Sequence, residues 1–259
     1  MQLDSYREAY RNIHFERRDG VLAMSLHTAG GPLLFSIAET GIHAQLGRAF
    51  ADVASDPENR VVILTGSGGA FCETFDRSDM PADYHDAPRF YDRMYREGLD
   101  LILKLLDIPV PVIGAINGPA LLHAEVAVLS DVVLAADHAV IADVGHFPNG
   151  TVPGDGVHVC WQLLLGPNRA RYFLMTGEKL SAEEAKRLGV VGEVLPADRL
   201  MNRAWELGAQ IAAKPELCRR HTRAIFMRHL KQRMQDELGY GLSLEFTASA
   251  AQRQPAAKG

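Results

Sequence analysis

Apolar and polar positions alternate from residue 12 to 27. Ile13, Phe15 and Arg17 are separated by polar positions, Asp19-Gly20 is a turn pair, and Val21 to Leu26 follows as a second run, so the pattern predicts a hairpin. Over residues 39–54 the spacing becomes helical, with Ile42, Leu46, Phe50 and Val53 in step until Asp56-Pro57 stops the pattern. Val61-Val62-Ile63-Leu64 is a short unbroken apolar run that enters the loop Thr65 to Gly69, which reads as a buried strand. A helix is predicted over 89–106, a second buried strand over Pro109 to Asn117, and an apolar helix over 121–130. Val132 to Ala135 and Val140 to Ala142 are two further short strands. Strand, loop and helix thus recur through residues 60–145, the mark of an α/β fold with buried parallel strands.

From about residue 157 the pattern turns mainly helical. Helices are predicted over Asn168 to Thr176 and Ser181 to Leu188, the second opened by the capping box Ser181-Ala182-Glu183-Glu184 and closed by Gly189. Gly192 to Pro196 carries a last short strand. Residues 197–253 read as three helices, broken near Lys214-Pro215 and around Gly239 to Gly241, and Gln252 to Gly259 as a frayed tail. The expected organisation is an α/β core over 1–196 and a helical region over 197–259.

Composition narrows the function classes. A chain of 259 residues, 47% hydrophobic and 23% charged, is long enough for one large domain with or without a smaller appendage. A net charge of −5 argues against a general nucleic-acid binder. No apolar run nears the roughly 18 residues of a membrane span, and the charged N-terminus is unlike a signal peptide. Cys72, Cys160 and Cys218 are widely spaced and odd in number, which suggests a reducing cytoplasm and three small buried hydrophobes.

The chemistry concentrates in Gly145 to Gly156. His146 and Asp155 stand nine residues apart, across a run holding two Pro and four Gly that cannot be a continuous helix. An ordered loop there could fold Asp155 back onto His146, and an imidazole oriented by a carboxylate makes a base for near-neutral pH. A purely structural loop would account for the same residues. Apart from His146 and His123, the remaining eight histidines lack metal-ligand spacing and read as surface or satisfied core positions, although His158 could compete for Asp155.

Several segments, in register and in order, resemble the crotonase (enoyl-CoA hydratase/isomerase) superfamily. They are Val61 to Gly66 with Ala70-Phe71-Cys72, Pro109 to Ala120, Ser130-Asp131, Gly150 to Gly154, and Leu174 to Glu178 through Gly189 to Val194. The resemblance implies a spiral of ββα turns and a C-terminal helical region that packs on neighbouring subunits in a homotrimer or dimer of trimers. The departures are equally informative. The loop Phe71 to Asp76 lacks the family's Ala-Gly, and Leu121-Leu122-His123-Ala124 stands where a Gly-Gly-Gly run lets an amide approach a thioester oxygen. Glu125 matches one of two hydratase glutamates, whereas the other matches His146.

The run His146 to Trp161, with Asn117-Gly118-Pro119, His123, Gly166 to Leu174 and Glu245, is similar to the β-diketone hydrolase group that includes 6-oxocamphor hydrolase. That resemblance implies hydrolysis of a carbon–carbon bond between two carbonyls of a small diketone, with no cofactor and no metal strictly required. His146 is then the general base with Asp155 holding its tautomer, and His123 a donor to a carbonyl or enolate oxygen, or else a local backbone cap. Glu245 is an acid that orients water or substrate, or one end of a subunit ion pair. Glu125 is either a helix-dipole carboxylate or a catalyst. Phe35, Phe75, Met80, Tyr84 and Trp161 are candidates for an apolar substrate wall or for core.

Overall fold

The structure is a computed structural model and describes residues 1–253. The hairpin pairs β1 (Ile13–Arg18) antiparallel with β2 (Val21–Leu26). Its turn uses Asp19 and Gly20 at φ 50° and 84°, the left-handed pair that matches strand twist. The chain continues through β3 (Leu34–Phe35), α1 (Ile42–Ser55), β4 (Val61–Gly66), β5 (Thr74–Phe75) and α2 (Ala87–Asp107). Next come β6 (Val112–Ile116), α3 (Glu125–Val128), β7 (Val132–Ala136), β8 (Val140–Ile141), α4 (Val157–Leu165) and α5 (Pro167–Thr176). It ends with β9 (Leu180–Ser181), α6 (Ala182–Arg187), β10 (Glu193–Leu195), α7 (Ala197–Ala212) and α8 (Glu216–Arg253).

The main sheet runs β1-β2-β4-β6-β7-β10 and is parallel after the hairpin. Every residue of β4 and β6 is buried at the centre of the sheet, where α7 packs against both strands and α3 against β6. The small pairs β3–β5 and β8–β9 lie off that sheet.

Three sequence expectations are corrected by tertiary packing. The strand expected from Pro109 begins at Val112, since Pro109 and Pro111 offer no N–H to a ladder. The helix expected over 121–130 is reduced to α3: the Leu121 and Leu122 amides donate to Cys72 O, and His123 turns left-handed at φ 47°. The break expected at Gly239 to Gly241 is absent, and α8 runs through it. The break at Lys214-Pro215 is present, between α7 and α8. Residues 254–259 of the expected frayed tail lie outside the described residues, and Gln252 and Arg253 are helical. Cys218 is exposed, whereas Cys72 and Cys160 are buried as expected.

Two contacts aim α8 at the rest of the molecule. The buried Arg223 guanidinium donates to Ile108 O (2.7 Å), Leu105 O (3.1 Å) and the Asp131 carboxylate. Farther along, Gly241 meets Gly154 backbone to backbone: a Cβ on Gly241 would lie 2.3 Å from Gly154 O. No helix among the described residues is long and apolar enough to cross a membrane.

Candidate active site

The loops leaving the C-terminal ends of β4 and β6 are fastened together, which is where open α/β sheets place their sites. Asn117 does the fastening. Its Oδ1 accepts from Gly66 N (3.1 Å), and its Nδ2 donates to Gly68 O (3.0 Å) and Ala70 O (3.1 Å). A cavity of about 800 Å³ opens beside them, lined by groups from the β3, β5 and β6 loops, the segment 143–155, α2 and α8.

His146, Asp155, His123 and Glu245 all line this cavity. His146 stands between two carboxylates, with Nδ1 2.7 Å from Asp143 Oδ1 and Nε2 3.2 Å from Asp155 Oδ2. The carboxylate on Nδ1 is therefore Asp143, whereas Asp155, expected to hold the tautomer of His146, lies on Nε2. Asp155 Oδ2 also lies 3.5 Å from His123 Nδ1, so one carboxylate is shared by two imidazoles. His123 Nδ1 has a second partner in Glu125 Oε1 at 2.8 Å, and its Nε2 has no hydrogen-bond partner among the described residues. The Phe35 ring stacks on His123 at 4.1 Å between centroids. A left-handed backbone at a non-glycine residue is strained, and here it turns the imidazole of His123 toward the cavity that it lines.

Electrostatics follow from this crowding. Burial opposes charge on His146, but the charge of Asp155 and the hydrogen bond and charge of Asp143 outweigh it and hold its pKa well above the ordinary histidine value. Burial likewise opposes ionisation of Asp155, and the two imidazoles reverse that, so its carboxyl sits well below the usual range. His123 is raised despite burial, chiefly by Glu125 and then by Asp155. Glu245 has only weak compensation: burial and then the Asp155 charge push its carboxyl up to about 8. One oxygen each of Asp155, Asp143 and Glu245 is buried without a hydrogen-bond partner among the described residues.

The raised Glu245 value has a stability consequence. Between its ordinary 4.5 and about 8 the folded chain keeps a proton that the unfolded chain has lost. Folded stability is therefore expected to decline as pH rises from about 4.5 to 8, relative to Glu245→Gln, which has no such proton. Urea unfolding of both proteins at pH 5 and pH 9 measures this, and parallel pH dependence would refute it.

The predicted wall residues divide. Phe35, Phe75, Met80 and Tyr84 line the cavity. Trp161 does not: it is fully buried on α4, 4.5 Å from the Phe173 ring, so as a wall residue it is corrected to core. His158 does not compete for Asp155; neither ring nitrogen has a partner among the described residues, and the ring lies under Gly241. Sequence reasoning missed Asp143 and grouped His43 with the surface or core histidines. His43 lines the cavity, with Nδ1 2.9 Å from Glu97 Oε2. The Asp-x-x-His spacing of Asp143 and His146 was the available signal. The donor atoms of His123, Glu125 and Asp155, and those of His146, Asp155 and Glu245, each lie within 4.8 Å of one another, so either set could hold a cation.

Comparison with known proteins agrees with this architecture. The family described as enoyl-CoA hydratase/isomerase matches residues 23–254, and the chain belongs to that family, with the crotonase fold. A carnitinyl-CoA dehydratase of Citrobacter koseri is 32% identical over 203 residues, covering 77% of this chain and 74% of the relative. Among solved structures, a β-diketone hydrolase from the cyanobacterium Anabaena, bound to (S)-3-oxocyclohexyl acetic acid, is 44% identical with a TM-score of 0.90, covering 96% of this chain and 98% of that one. An enoyl-CoA hydratase/isomerase from Mycobacterium paratuberculosis is 26% identical with a TM-score of 0.83, covering 92% and 93%.

Proposed function

We propose that this protein hydrolyses a carbon–carbon bond in a cyclic or bicyclic β-diketone, giving a keto acid, without a cofactor. The observation that carries the reading is Asp155 placed between the imidazoles of His146 and His123 in the cavity wall. The likeness to the Anabaena β-diketone hydrolase supports it.

The geometry suits a retro-Claisen sequence. The His146–Asp155 pair takes a proton from water, whose oxygen bonds to one carbonyl carbon and leaves an oxyanion. When that oxyanion collapses, the bond to the carbon between the carbonyls breaks and its electron pair passes into the second carbonyl as an enolate. His123, through Nε2, donates to the enolate oxygen, and Glu245, protonated below about 8, returns a proton to carbon. Phe35 and Phe75 offer an apolar wall to a ring with few polar handles. A homotrimer or dimer of trimers is part of this proposal; Leu217, Ile225 and Phe226 on α8 are exposed apolar groups that subunit contact would cover.

The second reading is a coenzyme-A-thioester enzyme, favoured by the carnitinyl-CoA dehydratase relatives. The amides of Leu121 and Leu122 argue against it, because both are already given to Cys72 O at 2.8 and 3.1 Å.

The test mixes purified protein with monocyclic and bicyclic 1,3-diketones, or with crotonyl- and carnitinyl-coenzyme A, with and without EDTA. Diketone loss with keto-acid formation, unaffected by EDTA, is expected. Turnover of a thioester alone would replace the proposal by the second reading, and loss of activity in EDTA would assign a metal to one of the two donor clusters.

A further inference from the structure

We infer that Asp143 is the positioning carboxylate of His146: it fixes the hydrogen of the imidazole on Nδ1 and so turns Nε2, toward Asp155 and the reacting water, into the nitrogen that exchanges protons. The inference rests on the diketone-hydrolase reading for its kinetic part only. Asp143 lies two residues beyond β8, and the backbone on both sides of it is pinned: Ala142 N donates to Ala120 O (3.0 Å) and Val144 N to Leu121 O (3.1 Å). Those acceptors belong to the segment that carries His123 into the cavity. One oxygen, Oδ1, accepts from both the backbone N–H (3.3 Å) and Nδ1 (2.7 Å) of His146. The side chain and the main chain of His146 are thus held by a single atom, which favours one orientation of the ring. A carboxylate can only accept, so Nδ1 carries the hydrogen whenever Asp143 is ionised. Asp143 belongs to the cavity wall but is only 5% exposed, its Oδ1 is taken by His146 and its Oδ2 is buried, so it acts through His146.

The groups facing His146 come from four elements. They are Asp143 beyond β8, Asp155 before α4, His123 before α3 with Glu125 bonded to it, and Glu245 on α8. Only Asp143 reaches Nδ1. Substitution at Asp143 therefore moves the protonation of His146 through a contact that none of the others can replace.

The experiment has a kinetic arm and a spectroscopic arm. In the kinetic arm Asp143→Asn is expected to lower kcat on the diketone by on the order of 10², with KM little changed. The acid limb of the kcat/KM profile should move toward lower pH by about one unit or more, because a negative neighbour has been removed. Asp143→Glu, which keeps the charge on a longer arm, should return the limb toward its wild-type position. An unmoved limb, or equal loss in both variants without recovery, would make Asp143 merely structural and overturn the inference. In the spectroscopic arm ¹⁵N-histidine NMR of the wild-type protein, with His146 assigned by its loss in His146→Gln, should show a protonated Nδ1 across the whole titration. A deprotonated Nδ1 at high pH would overturn the inference even if Asp143→Asn fails to fold. If no diketone is turned over, the functional reading falls while the NMR result still decides the role of Asp143.

Discussion

Asp155→Asn is expected to cut kcat on a cyclic β-diketone by about 10²- to 10⁴-fold while the protein remains folded. The substitution keeps the shape of the side chain and removes the one charge that His146 and His123 share, at 3.2 and 3.5 Å. Both imidazoles are raised in part by that charge, so its loss lowers both. A base must be unprotonated to act. The acid limb of kcat/KM in the wild type should accordingly lie above the ordinary histidine value of 6.5, and in Asp155→Asn it should move down. On the alkaline side, activity should fall as Glu245 ionises through about 8.

His146→Ala should show a loss of the same order, with a lower Tm, since it strands two buried carboxylates. If the pair acts as a unit, the double variant loses little more than either single one. Rates measured across pH 5 to 10 for the four proteins decide this. Additive losses, or a wild-type profile in Asp155→Asn, would remove the pair from the chemistry.

Gly241→Ala is expected to lower stability by about 2–3 kcal/mol, which for a chain of this size is roughly 4–12 °C in Tm. The new Cβ would sit 2.3 Å from Gly154 O and 2.5 Å from His158 Cε1. The first neighbour is backbone and cannot swing away, so α8 must lift. Glu245 is four residues on, over the same face of the helix, and leaves the cavity with it. A fall in kcat should therefore accompany the fall in Tm.

Gly239→Ala is the control. Its Cβ would come closest to the Tyr95 hydroxyl, at 2.7 Å, which is the far end of a side chain. Alanine also gains about 1 kcal/mol of helix propensity over glycine, so this variant should be neutral or slightly more stable. Thermal melts with parallel rates separate the two, and wild-type values for Gly241→Ala would mean that the crossing is loose.

The same glycines show where reading the chain stops short. Gly239 to Gly241 looked like a helix break because glycine weakens a helix locally. Both lie inside α8, and Gly241 is needed because two backbones touch there, a requirement visible only when Gly154 arrives from 87 residues away in sequence. Trp161 was read as either wall or core, a choice that the sequence could not make, and α4 turns it onto Phe173 in the core. Residues with a local cause were legible. Asp19-Gly20 forms its turn, Ser181 caps α6 by accepting from Glu184 N, and the apolar runs at 61 and 112 become the buried centre of the sheet.

Periodicity and turn residues in the chain alone determined an α/β core with buried parallel strands, because they are written in neighbouring positions. The crotonase fold and the set His146, Asp155, His123 and Glu245 were legible through the resemblance of whole segments to that superfamily and to the β-diketone hydrolases, and these four side chains line one cavity. Which nitrogen of His146 meets which carboxylate was decided by tertiary structure. The backbone beside Asp143 is pinned to 120–121, while Asp155 returns from the far side of the loop to lie between two imidazoles. A side chain's partner depends on where distant backbone closes, and hydrogen bonds a few ångströms long assign it only after packing has set those positions.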